Sequence, residues 1–171
     1  MQRIVFLDVD GPLINTPMFY VDLQCSLKRT VFNTQAIGYV IQLCKIADAK
    51  IVMNSTHNTH MINDPLTAKE RSIKDDMIYW KVPAELFHEN YHTEYPFPRG
   101  RKFSDHSTRN RMLSIENWMD DNEEVDWIAF DDEKFTDDFR LILIDFERGI
   151  DHAAYKKALK FWELKEPDIF I

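Results

Sequence analysis

A chain of 171 residues with 44% hydrophobic and 13% aromatic side chains is long enough to bury a core and too apolar for a disordered polymer. A formal charge of −8 weighs against a protein that tracks a nucleic-acid backbone through a basic face. Four glycines and the lack of any G-x-x-x-x-G-K-[ST] weigh against a P-loop kinase. Cys25 and Cys44 form neither a C-x-x-C nor a disulfide framework, no apolar run approaches the ~18 residues of a membrane span, and no leader precedes the first strand-like run, so the expectation is one domain over residues 1–171, in the cytoplasm.

In chain order, four short apolar runs end in polar residues. Ile4–Leu7 ends in Asp8, Ile51–Met53 in Asn54-Ser55-Thr56, Trp127–Phe130 in Asp131-Asp132, and Leu141–Ile144 in Asp145. Apolar runs without alternation predict strands covered on both faces, as in a parallel sheet. Between them lie helical patterns. One spans about Thr34 to Ala47. A second opens at a Thr67–Glu70 capping box and runs toward Trp80. A third covers about Ser107 to Met119, and a last helix, capped by Asp151, runs through Trp162. Strands alternating with helices predict an α/β, doubly wound, mainly parallel sheet. Gly11–Asn33 and His88–His106 carry prolines and read as loops or small insertions, with a strand near Glu85–Phe87.

Ligands of open α/β sheets bind beyond the carboxyl ends of the strands. Asp8 and Asp10, Ser55 and Thr56, and Asp131 and Asp132 all stand at such ends. Carboxylates gathered there repel one another, and a hard cation with oxygen ligands, Mg²⁺, relieves that repulsion. In Asp8-Val9-Asp10, residues i and i+2 point the same way, which suits one carboxylate to nucleophilic attack and the other to proton transfer. Gly11 then permits a sharp turn.

These residues resemble the haloacid dehalogenase (HAD) superfamily of phosphohydrolases. The first motif is Val5-Phe6-Leu7-Asp8-Val9-Asp10-Gly11-Pro12-Leu13, the second Ile51-Val52-Met53-Asn54-Ser55, and the fourth Trp127-Ile128-Ala129-Phe130-Asp131-Asp132. The resemblance implies a HAD-type Rossmann-like domain with no large cap. It implies that Asp8 attacks phosphorus to form an aspartyl-phosphate, that Asp10 protonates the leaving oxygen and activates water, and that Ser55 holds a phosphoryl oxygen. Mg²⁺ would be bound by Asp8, the Asp10 carbonyl and Asp131, with Asp132 supporting. The family's third motif is a basic residue before a helix. Arg111, four residues before Ile115 and seven before Trp118, is its closest counterpart, with Arg109 and Lys102 as alternatives and surface ion pairing as the plainer role for the arginines. Pro12 departs from the family's usual Thr or Val. The compact length resembles small nucleotidases and nucleic-acid-repair HAD domains.

The implied function is a magnesium-dependent phosphomonoesterase acting on a small phosphorylated substrate, a nucleotide monophosphate first. The alternatives are a phosphatase of 3′ or 5′ polynucleotide ends, favoured by the basic Arg99–Lys102 cluster together with Arg109 and Arg111 and opposed by the net charge, and a catalytically idle binding module. Other residues weighed are His57, which follows the second motif; Phe19 and Tyr20, able to stack on a base or simply pack; and His88 and His92, spaced for zinc on a helix but with no third ligand.

Overall fold

The computed structural model describes residues 1–18, 30–55, 62–63, 70–94, 108–122 and 124–167, with the backbone alone for 62–63, 70–71 and 108–110. Its strands are β1 (Gln2–Leu7), β2 (Ala49–Met53), β3 (Ile62–Asn63), β4 (Glu70–Arg71), β5 (Phe87–His92), β6 (Val125–Asp131) and β7 (Leu141–Leu143). The helices are α1 (Thr34–Ala47), α2 (Ile73–Tyr79), α3 (Thr108–Asp120) and α4 (His152–Phe161). Five strands form one all-parallel sheet in the order β5-β2-β1-β6-β7, and β3 and β4 pair as a small antiparallel ribbon. The fold is therefore α/β, and its main sheet is more uniform than "mainly parallel". Among the described residues, the ribbon is the only regular structure between β2 and α2, and no large cap is evident. No helix among them is long and apolar enough to cross a membrane.

The continuous apolar runs are explained by burial on both faces. Val5 and Leu7 of β1 join Ile51 and Met53 of β2 and Ile128 and Phe130 of β6 beneath α1, α2 and α4. The intervening Ile4, Phe6, Val52, Trp127 and Ala129 pack on the other face against Ile115 and Trp118 of α3. This is the doubly wound arrangement. Each such apolar side chain removed from water stabilises the fold by roughly 1.5–3 kcal/mol before conformational entropy is charged against it.

Local signals set the helix ends. Asn33 accepts from the Gln35 and Ala36 N–H groups at the start of α1, and Asp151 accepts from Ala154 N at the start of α4. The helix expected from Thr67 starts later: Glu70–Arg71 is the strand β4, and α2 begins at Ile73 behind a reciprocal Ser72–Asp75 capping box. Pairing of Glu70 with Asn63 holds Glu70 in extended backbone, whereas Thr67 lies outside the described residues. The stretch after His88 is likewise not all loop, because Phe87–His92 forms the edge strand β5 behind a 3₁₀ turn at Ala84–Leu86. His88 and His92 thus lie on a strand, and the His88 ring packs against Trp118.

Candidate active site

Register aligns the strand ends. Leu7 of the central strand pairs with Met53 on one side and Phe130 on the other, and Met53 pairs with His92 of β5. The next residue on each strand therefore falls in one row across the sheet: Thr93, Asn54, Asp8, Asp131. Backbone hydrogen bonds continue past the strands to hold that row, from Asp8 N to Phe130 O (3.0 Å), Asn54 N to Leu7 O (2.9 Å) and Thr93 N to Met53 O (2.9 Å). Alternation from Phe6, Val52 and Ala129 places Asn54, Asp8 and Asp131 on the α3 face.

After Asp8 the chain turns at once. Leu13 N and Ile14 N both donate to Val9 O, Gly11 N donates to Ile14 O, and Gly11 has φ 80°. A Cβ on Gly11 would lie 2.6 Å from the Cβ of Asp132, so the first motif's turn and the fourth motif's acid are in direct apposition. The turn is tied down by buried Asn15, whose amide donates to the carbonyls of Glu147 and Arg148.

Asp8, Asp131 and Asp132 each present a carboxylate oxygen, all within 4.8 Å of one another. Asp8 and Asp131 are each 1% exposed. Arg111 enters from α3: its Nη1 lies 2.9 Å from Asp8 Oδ2 and 2.5 Å from Asp131 Oδ2, and its Nε lies 3.3 Å from Glu133. Buried Ile115 and Trp118 anchor the same helical face, and Glu133 N donates to Asp131 Oδ1 at 2.8 Å.

One guanidinium does not balance three acids. Burial pushes the Asp8 carboxyl above the usual carboxylate range, although Arg111, the Val9 N–H and the Ser55 hydroxyl pull it back. Burial, and then the Asp8 charge, lift Asp131 to about 8 in spite of Arg111. The same two causes bring Asp132 to about 6. Carboxyls held this far up are short of positive charge, and the donors are hard oxygens, so the residues present fit a small divalent ion such as Mg²⁺.

The structure thus brings Asp8, Ser55, Arg111, Asp131 and Asp132 together. Asp10 follows in the turn, half-buried, its backbone bridged to Ile14. Arg109 is described in backbone only, on α3. Lys102, His57, Phe19, Tyr20, Cys25 and the rest of the Arg99–Lys102 cluster lie outside the described residues. Among those described, the aspartate trio is the only group of three or more side chains placed to hold a metal ion. The sequence does not mark Thr93 or Asn54 as site residues. The first sits at a strand end that reads as loop, and the second precedes the more obvious hydroxyl of Ser55.

No curated protein and no solved structure gives a match to this chain. A family model does: the HAD domain in Swiss Army Knife RNA repair proteins matches residues 4–154, from the first residues of β1 into α4. With the strand-end acids in place and nearly the whole chain covered, this chain belongs to that family of HAD domains.

Proposed function

We propose that the chain is a magnesium-dependent phosphomonoesterase that acts through an aspartyl-phosphate on Asp8 and removes a terminal phosphate from RNA. The observation that carries the chemistry is the buried Asp8 carboxylate, with Asp131 and Asp132 oxygens within 4.8 Å and Arg111 at 2.9 Å. An Asp8 oxygen attacks phosphorus, and the bond from phosphorus to the leaving oxygen breaks. Asp10 gives that oxygen a proton, then takes one from the water that cleaves the aspartyl-phosphate, which restores both acids. In this reading Arg111, 2.9 Å from Asp8, neutralises the nucleophile and the charge on the phosphoryl oxygens, and the Ser55 hydroxyl holds one of those oxygens. Asp8, Asp131 and the Asp10 carbonyl, with Asp132 in support, would hold Mg²⁺, which would supply charge neutralisation at the phosphoryl group.

The family's RNA-repair description favours a polynucleotide end over a free nucleotide, and the absence of a large cap among the described residues leaves room for a long substrate. The charge of −8 favours the nucleotide. Hydrolysis rates on 3′- and 5′-phosphorylated oligoribonucleotides and on nucleoside monophosphates, across a salt series with Mg²⁺, separate the two. A preference for oligonucleotides that weakens as salt rises supports the RNA-end reading, and equal or faster turnover of mononucleotides supports the nucleotidase.

A further inference from the structure

The row of strand-end residues holds two polar groups that the reaction above does not use, Asn54 and Thr93. Asn54 is 1% exposed, next to Asp8 in the row and on the same face of the sheet. Its side-chain oxygen is fixed, accepting from Thr93 Oγ1 at 2.8 Å, and Thr93 is itself 1% exposed. With the oxygen engaged on the β5 side, the amide nitrogen is turned away from Thr93. That nitrogen is buried and has no hydrogen-bond partner among the described residues. A buried N–H without an acceptor costs the full desolvation of the group, and native folds keep very few. Such a cost is tolerated where an acceptor arrives with a ligand.

The geometry points to Asn54 as a further phosphoryl-binding residue, its Nδ2–H donating to an oxygen of the phosphate that Asp8 attacks. The assignment rests on the phosphatase reading above. Three features support it. The register places Asn54 beside the nucleophile rather than behind it. The Asn54 amide nitrogen, beside the Asp8 carboxylate in the row, donates to no acceptor among the described residues and suits a phosphoryl oxygen. Thr93, reached through the edge strand β5, acts as a positioning residue that sets which end of the amide faces the substrate; its Oγ1 also lies 3.4 Å from Met53 O and so has a second anchor when Asn54 is changed.

The test uses the whole chain with Mg²⁺ and inorganic phosphate as the probe. Asn54→Ala and Asn54→Leu should raise the phosphate inhibition constant and the KM of the monoester substrate by ~10-fold, the scale of one hydrogen bond to a charged group. Both variants should melt no lower than wild type, because each removes an unpaired buried donor. Thr93→Val should produce a smaller rise of the same kind. In the wild-type protein, the Asn54 side-chain amide proton resonance should move downfield as phosphate saturates the site. Unchanged phosphate affinity in the variants together with a lowered melting temperature would make the Asn54–Thr93 pair a purely structural clasp. If the variants do not fold, an Asn54 resonance that stays still in phosphate-saturated wild type overturns the assignment. A wild type that hydrolyses no phosphomonoester with Mg²⁺ fails the phosphatase reading itself, and there the amide signal under phosphate still decides whether Asn54 meets the anion.

Discussion

Nη1 of Arg111 lies 2.9 Å from Oδ2 of Asp8, one group carried by a helix and the other by the central strand of the sheet. The arginine's side chain is 11% exposed and the aspartate's 1%, so solvent screens the pair little. Arg111→Ala removes the cation against the nucleophile and should lower kcat by ~10²-fold or more, the scale of losing a strong electrostatic contact. Arg111→Lys should recover part of that loss. Arg109→Ala and Lys102→Ala should cost less. Steady-state kinetics on the four variants check the order, and a silent Arg111→Ala beside a crippled Lys102→Ala would overturn it.

Asp8→Asn keeps the shape of the side chain and removes its nucleophilicity and most of its value as a ligand. Turnover should fall by ~10³-fold or more, as when other catalytic nucleophiles are removed. The circular dichroism spectrum should not change. Near-normal turnover in this variant would rule out the covalent route.

Divalent ions should divide by size. Mg²⁺ demands tight octahedral geometry with few carboxylates, whereas Ca²⁺ takes longer bonds and more oxygens and would draw both oxygens of Asp8 away from attack. Activity is expected with Mg²⁺, none in EDTA, and inhibition when Ca²⁺ is titrated against Mg²⁺. Full activity in EDTA contradicts the metal assignment.

The acids also set a pH dependence of stability. Asp131 at about 8 and Asp132 at about 6 are raised above the ordinary carboxylate value of 3.8, so between those limits the folded state holds protons that the unfolded chain has released. Stability then falls as pH rises from about 4 to about 8. In EDTA the melting temperature should be lower at pH 8 than at pH 6. Saturating Mg²⁺, which replaces those protons, should flatten or reverse the trend. A metal-free protein that grows more stable across this range would show that the cluster is compensated by other charges.

Gly11 answers to two constraints at once, a φ of 80° and a Cβ position 2.6 Å from Asp132. Gly11→Ala should destabilise the fold by ~1–3 kcal/mol through backbone strain and the clash. By displacing Asp132 it should also raise the Mg²⁺ concentration needed for half-maximal activity. Denaturant titration and an Mg²⁺ activation curve read the two effects separately.

The sequence by itself determined the parallel sheet and the acids at its carboxyl edge. A run such as Ile4–Leu7 has no polar face, so it must be covered on both sides. The first polar residue after it must then stand where the strand leaves the core. Thr34–Ala47 and the Asp151 cap were legible for the same reason, since helix periodicity and capping act over a few residues. Tertiary structure decided everything that depends on register between strands. Asp8, Asn54, Asp131 and Thr93 form one row because Leu7 pairs with Met53 and Phe130, and Met53 with His92. Those pairings join residues far apart in the chain and leave no local mark. For Arg111, the spacing to Ile115 and Trp118 singles it out over Arg109 in the sequence but does not give the direction it faces. Packing of Ile115 and Trp118 against Phe6 and Trp127 fixes the rotation of α3, and that rotation turns Arg111 toward Asp8.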